Sequence, residues 1–136
     1  MASGQDLVKI AQAESGTKES GTNNVKYNTW FYGHEVDGSN YPWCAVFVSW
    51  CADKAGITTD IMPKTASAGY FAHYANQGHG EVFTNKNPEA GDLFLINYNG
   101  SDWANHVGIV ASCDGSNITT IEGNSSDMVR SRTLSM

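Results

Sequence analysis

The chain has 136 residues, a length that excludes two ordinary domains. Of these residues 40% are hydrophobic and 16% are charged, a composition that excludes a disordered chain. Its formal net charge of -6 excludes a broad phosphate-binding surface, because a polyanion is neutralised by clustered Lys and Arg. We therefore expect one globular domain over residues 1–136 and no nucleic acid among its partners.

The first predicted element is a short amphipathic helix in "GQDLVKIAQAESG". Leu7, Ile10 and Ala11 recur at helical spacing, and Gly16 ends the pattern. The polar and aromatic stretches that follow, up to Tyr41, predict ordered loop. The start of the chain has no basic, apolar leader, and no window approaches the ~20 apolar residues of a membrane span. We expect synthesis in the cytoplasm without a signal peptide, and no membrane insertion.

The next predicted element is a buried helix in "SNYPWCAVFVSWCADKAG". Periodicity alone leaves strand and helix open for this apolar run. Pro42 suits the first helical position, and Gly56 suits the left-handed residue after a helix end. A run of ~14 residues also exceeds a typical strand. The segment therefore predicts a helix from about Pro42 to Ala55.

A further helix is predicted from about Ala66 to Asn76, and the pattern then changes to that of strands. Three short runs rich in Ile, Val, Leu and Thr predict neighbouring antiparallel strands, and a fourth run is a candidate strand. In chain order the runs are "GDLFLIN", "NHVGIVASC", "NITTIEG" and "DMVRSRTLS". We expect an α+β fold in which N-terminal helices, including the buried one, pack on a small antiparallel sheet.

The three cysteines, Cys44, Cys51 and Cys113, cannot all pair within the chain. Cys44 lies near the predicted start of the buried helix, where free N–H groups and the positive end of the dipole favour an anion. It is therefore a candidate thiolate nucleophile. Cys51, seven residues later, is too far from the helix start for this effect, and we interpret it as a core residue. A structural role for Cys44 also remains open at this point, since buried free cysteine is common.

A histidine and two polar residues on neighbouring predicted strands complete a candidate catalytic set. The two-residue period of "NHVGIV" places His106 on the face opposite to Val107. In the next strand "IEGN" contains Glu122 and Asn124, either of which could reach and orient an imidazole. A cysteine nucleophile, a histidine base and a polar residue that fixes the ring form the usual apparatus for attack on an amide carbonyl.

These residues resemble a known family, the cysteine, histidine-dependent amidohydrolase/peptidase (CHAP) domain of the papain-like superfamily. Four segments within about residues 26 to 127 carry the resemblance: "YPWCAVFVSWC", "PEAGDLFLIN", "NHVGIV" and "TTIEGN". It implies a papain-like fold with Cys44 as nucleophile, His106 as general base and acid, and Glu122 and Asn124 as orienting residues. It also implies hydrolysis of an amide bond of bacterial peptidoglycan, by an N-acetylmuramoyl-L-alanine amidase or endopeptidase, as in phage endolysins.

Three aromatic residues are candidates for substrate binding. Trp43 and Trp103 lie near Cys44 and His106 in the sequence and would wall a groove, unless they pack against the sheet. Tyr41 is a candidate donor to the oxyanion. Some related lysins hold calcium with aspartates around the cysteine, whereas Val46 stands where such an acid would follow Cys44. We expect no metal and no cofactor.

Two other functions remain open from the sequence. One is a cysteine peptidase or deamidase that acts on a protein, since the catalytic set does not encode the acyl partner. The other is a catalytically silent module that binds the wall. For the cell-wall enzyme, we expect bacterial peptidoglycan as partner, action at the cell wall, and a monomer whose parent protein carries a separate wall-binding domain.

Overall fold

The computed structural model describes residues 4–75, 77, 88–96 and 104–135. Within these residues the chain forms helices first and an antiparallel sheet afterwards, and this confirms the predicted α+β class. The helices are α1 (Gly4–Ala13), α2 (Lys26–Tyr32), α3 (Cys44–Lys54) and α4 (Ala68–Tyr74). The strands are β1 (Leu93–Ile96), β2 (His106–Cys113), β3 (Asn117–Ser125) and β4 (Met128–Ser135).

Helix α3 is the predicted buried helix, with a start two residues later than expected. Pro42 precedes the helix, and Trp43 is the N-cap, with φ -124° and ψ 17°. Cys44 is therefore the first helical residue. Nearly every side chain of α3 is buried, as a helix that is apolar on all sides requires.

The end of α3 follows the prediction for Gly56. This residue has φ +80°, a left-handed conformation that costs glycine little. Its N–H donates to the carbonyl of Asp53 at 3.1 Å, and the N–H of Ile57 donates to the carbonyl of Ala52 at 2.9 Å. This pair of bonds is a Schellman motif, which satisfies carbonyls at the end of the helix.

Helix α2 corrects the loop predicted for this part of the chain. Its seven residues contain aromatic residues, Asn and Thr, which are modest helix formers, so the local signal is weak. Tertiary packing supplies the stability instead, because the Tyr27 ring packs against Trp43 at 5.6 Å, Phe47 at 5.0 Å and Trp50 at 5.0 Å. The helix ends at Gly33, which has φ +83°.

The sheet is a meander in the order β1-β2-β3-β4. Ile109 of β2 pairs with Leu93 of β1 and with Ile121 of β3. These side chains, together with Val107, belong to the core under the helices, and α3 packs on β2 and β3. The first residues of β2 and the last residues of β3 therefore lie near the helix that carries Cys44.

The hairpin of β3 and β4 contains a β-bulge near its turn. Ser125 pairs with Met128, but Glu122 pairs with Arg130, so the register shifts by one residue between the two pairs. Asn124 lies within this irregular segment and has φ 59°, in the left-handed region. The bulge accommodates one extra residue on β3.

In the part of the chain that the structure describes, no helix has the length and apolar character needed to cross a membrane.

Candidate active site

Cys44 occupies the first position of α3, and its side chain is nearly covered. The residue is 7% exposed. The first intrahelical bond recorded at this end runs from the N–H of Phe47 to the carbonyl of Trp43, and Trp43 supplies no side-chain cap. By the geometry of a helix, the first N–H groups have no intrahelical partner, and the Trp43 side chain does not cap them, so this end of the helix favours an anion.

His106, the first residue of β2, joins Cys44 to an acidic residue. Its ring lies close enough to Cys44 for that side chain to raise the pKa of the imidazole, and its Nε2 lies 2.6 Å from Oε1 of Glu122. Since Nε2 is engaged by the carboxylate, Nδ1 is the ring nitrogen left for the sulfur. The Phe94 ring covers the imidazole edge-on, with centroids 6.2 Å apart and planes at 68°.

The surroundings of His106 favour the imidazolium. Burial alone lowers the pKa of His106, but the hydrogen bonds to Cys44 and Glu122 and the charges of these two groups outweigh burial and raise the pKa to about 9. A positively charged ring beside a sulfur stabilises the thiolate. The pair can therefore supply both a nucleophile and, on the same ring, a proton for a leaving group.

Glu122 is fully buried, and hydrogen bonds on both oxygens hold it ionised. Oε1 accepts from His106 and from Nη2 of Arg132, and Oε2 accepts from Nε of Arg132 and from Oγ1 of Thr120, each at 2.6 Å. Burial raises the pKa of Glu122, but the hydrogen bonds from His106, Arg132 and Thr120 outweigh burial and lower the pKa to about 2. The carboxylate is thus a fixed negative charge behind the imidazole.

A cysteine at a helix start, a histidine on a strand and a carboxylate on the next strand form one connected unit, in the order that amide hydrolysis by a thiol requires. Residues 36–124 match the CHAP domain family, and this segment contains all three residues. The chain belongs to the CHAP family. It is accordingly a cysteine- and histidine-dependent amidohydrolase or peptidase, a class common among cell-wall hydrolases.

A solved structure has a fold similar to that of nearly the whole chain. The crystal structure of Ly7917 superposes with a TM-score of 0.56 at 18% sequence identity, over 98% of this chain. The chain spans 56% of the length of the Ly7917 chain. No curated protein matches the sequence.

Asn124, the second predicted orienting residue of this CHAP domain, is not joined to the imidazole. Among the described residues, no hydrogen bond links its side chain to His106, whereas Glu122 makes that bond. Asn124 instead lies in the β-bulge with its backbone in the left-handed region. Its orienting role therefore stays a prediction, and the geometry indicates a conformational role.

The three aromatic candidates lie in different surroundings. Trp43 is fully buried, stacks on Tyr27 and donates from Nε1 to Glu19 at 2.9 Å, so it belongs to the core and does not wall a groove. Tyr41 is partly exposed, and its ring packs edge-on against Tyr32 at 5.2 Å. Its role at the oxyanion stays a prediction. Trp103 lies outside the described residues.

Cys51 is buried with no exposed surface. Desolvation by burial raises the pKa of its thiol well above the ordinary value, so the neutral form dominates at neutral pH. Cys51 is thus a core residue, unlike Cys44, which has an imidazolium beside it.

The carboxylates before Cys44 serve the loop around them. Asp37 accepts from the backbone N–H of Thr22 at 3.4 Å, and Glu35 accepts from the side chain of Asn24 at 3.3 Å. In the described ranges, no group of three or more His, Cys, Asp and Glu side chains is arranged to hold a metal ion.

Three residues of the site were not predicted from the sequence: Thr120, Arg132 and Phe94. Thr120 carried a usable signal, because it lies two residues before Glu122 and so shares its face of the strand. The other two residues carried none, since they reach the site from other strands through pairings that local sequence does not encode.

Proposed function

We propose that this CHAP domain hydrolyses an amide bond of bacterial peptidoglycan through a thioester acyl-enzyme. The observation that carries the proposal is the connected unit of Cys44, His106 and Glu122 at the start of a buried helix. The wide use of the family in cell-wall hydrolases supports the substrate class.

In the first half of the reaction, the Cys44 thiolate attacks the scissile carbonyl carbon, and a carbon–sulfur bond forms. The N–H groups at the start of α3 stabilise the negative charge on the carbonyl oxygen. His106, as the imidazolium, then donates its proton to the leaving nitrogen as the carbon–nitrogen bond breaks. The amine leaves, and a thioester with Cys44 remains.

In the second half, neutral His106 takes a proton from water while the water oxygen attacks the thioester. The carbon–sulfur bond breaks, a carboxylic acid is released, and the Cys44 thiolate and the His106 imidazolium are restored. Glu122 keeps its charge throughout, because its pKa of about 2 lies far below the working pH. It orients the ring and stabilises the imidazolium.

We further propose that the enzyme acts at the bacterial cell wall, as an endolysin or a related lytic enzyme, and that it works as a monomer. The scissile bond is either the one between the sugar and the first alanine, cut by an amidase, or a peptide bond of the stem or cross-bridge, cut by an endopeptidase.

Two measurements test the proposal. Purified protein should lower the turbidity of a suspension of Gram-positive walls, and mass spectrometry of the soluble fragments should show new amino termini that identify the bond. If the walls stay intact while a protein substrate is cleaved, the enzyme is instead a peptidase or deamidase of proteins.

Variants of two buried cysteines separate catalysis from packing. Cys44→Ala should keep the fold and lose lysis. Cys51→Ala should keep lysis and lose about 1 kcal/mol of stability, as expected for a small buried side chain. Lysis by purified Cys44→Ala protein would refute the assignment of the nucleophile.

A further inference from the structure

Arg132 of β4 binds the carboxylate of Glu122, the same group that orients His106. Its Nε and Nη2 donate to different oxygens of Glu122, both at 2.6 Å, in the bidentate geometry that makes arginine–carboxylate pairs strong. The Arg132 side chain is 27% exposed, and the carboxylate has no exposed surface. Since burial weakens the screening of charges, this pair interacts more strongly than a surface ion pair.

The β-bulge explains why an arginine of β4 reaches Glu122 at all. If the register continued unbroken from the pair of Ser125 and Met128, Glu122 would lie opposite Ser131, and the side chain of Arg132 would lie on the other face. The shift at Asn124 instead pairs Glu122 with Arg130 and Thr120 with Arg132. It thereby moves both arginines to the face that carries Glu122.

Of these two arginines, only Arg132 binds the carboxylate. Arg130 lies directly opposite Glu122, yet its Nε donates to Oγ of Ser125 at 2.7 Å, and the residue is exposed. The strand therefore offers two arginines two residues apart, one on the active-site carboxylate and one near the turn.

We propose that Arg132 is a positioning residue of the active site, which locks the plane of the Glu122 carboxylate against His106 and shares its negative charge. The proposal rests on the proposed function only in taking His106 as the proton carrier. Among the described residues, Cys44 from α3, Glu122 from β3 and the uncharged ring of Phe94 from β1 face His106. Arg132 acts on the ring through Glu122.

The physical consequence concerns the acid strength of the imidazolium. A buried carboxylate whose only cation was His106 would hold the ring proton tightly and make the ring a poor acid for the leaving amine. The guanidinium offsets part of that charge, so the ring still binds its proton but can release it. The two parallel bonds also stop the carboxylate from rotating away from Nε2.

The test follows the imidazole nitrogens of His106 by NMR as the pH is raised, without substrate. In Arg132→Gln, an amide still donates to Glu122 but the positive charge is gone, so the pKa of His106 should rise above that of the parent protein. Arg132→Lys keeps the charge and should stay near the parent. Arg130→Gln is the matched control and should not move the pKa, because its charge is exposed and screened.

The rate of wall hydrolysis provides the second readout. Arg132→Gln should be severalfold slower than the parent at neutral pH, Arg132→Lys should recover part of the loss, and Arg130→Gln should match the parent. If the parent protein itself does not hydrolyse walls, the proposed substrate is wrong, whereas the titration still tests Arg132.

An unchanged or lowered pKa of His106 in folded Arg132→Gln would overturn the proposal, because the guanidinium would then not share the charge of Glu122. If Arg132→Gln does not fold, Arg132→Lys carries the test. Hydrolysis by Arg132→Lys at the full parental rate would show that catalysis does not need the bidentate pair of Arg132 and Glu122, and would also overturn the proposal.

Discussion

At the scale of single residues, the chemistry of this domain depends on a carboxylate that is buried yet ionised. A buried carboxylate is costly unless hydrogen bonds and opposite charges compensate for the lost water. Glu122 has both, since His106, Arg132 and Thr120 all donate to it. It can therefore raise the pKa of His106, where a neutral amide would fix only the direction of the ring.

The difference between a charged carboxylate and a neutral amide predicts how the pH–rate curve changes in Glu122→Gln. The alkaline limit of activity should follow the loss of the imidazolium proton of His106, whose pKa is about 9 in the parent protein. Without the negative charge the pKa of His106 falls, so the alkaline limb of the pH–rate curve should move to lower pH, with some activity left near neutrality. His106→Ala should be inactive at every pH. A pH–rate curve of Glu122→Gln that coincides with that of the parent would contradict this role.

A second residue-scale prediction separates the two roles open to Asn124. If its backbone conformation matters, Asn124→Gly should keep stability and most activity, because glycine adopts the left-handed region freely. Asn124→Ala should lose roughly 1 kcal/mol, because alanine takes on the left-handed conformation without the local hydrogen bonds by which a short amide side chain offsets its cost. Thermal unfolding and initial lysis rates measure both. A large loss of activity in well-folded Asn124→Gly would instead assign a catalytic task to the amide.

At the scale of elements, strand β2 approaches Glu122 closely because Gly108 has no side chain. A Cβ atom at Gly108 would lie 2.2 Å from Cε1 of Phe94 and 2.7 Å from Cγ of Glu122, closer than real contacts allow. The ring that covers His106 and the carboxylate that orients it therefore share the space that this glycine leaves open.

Gly108→Ala should accordingly affect stability and catalysis together. We expect a loss of about 1–3 kcal/mol from overpacking, and a lysis rate that falls further than unfolding explains, because Glu122 is displaced from His106. Gly115→Ala is the control, since Gly115 lies in the turn after β2, has φ +92° and has no atom within 4 Å of the added Cβ. It should cost stability through strain alone. Equal specific activities of the two folded variants would refute the effect on Glu122.

At the scale of the whole molecule, the same ion pair links folding to pH. The pKa of Glu122 is lowered from 4.5 to about 2, so its stabilisation is complete above pH 4.5 and is lost as the pH falls toward 2. The pKa of His106 is raised from 6.5 to about 9, so its stabilisation is complete below pH 6.5 and is lost as the pH rises through 9. Both contributions are whole only between pH 4.5 and 6.5.

The free energy of unfolding of the parent should therefore exceed that of Glu122→Gln by the largest margin between pH 4.5 and 6.5. Denaturant unfolding of both proteins across the pH range measures this margin. A margin that stays constant from acid to alkaline pH would show that Glu122 and His106 do not titrate as a coupled pair in the folded protein.

The amino-acid sequence by itself determined the features that depend on near neighbours in the chain. The apolar run with Pro42 and Gly56 at its ends predicted α3, and alternation of Val, Ile and Leu with other residues predicted the strands. Local position also marked Cys44 and His106 as candidates, because a helix start and the face of a strand can be inferred from short segments.

Only the tertiary structure decided which residues of different segments come into contact. Helix α2 forms because Tyr27 is buried against α3, and Trp43 became a core residue for the same reason. Arg132 reaches Glu122 through a one-residue shift in strand pairing, which reverses the face of every side chain beyond it. Such contacts join residues far apart in the chain, so their energies depend on how the elements pack and register, which the local sequence does not specify.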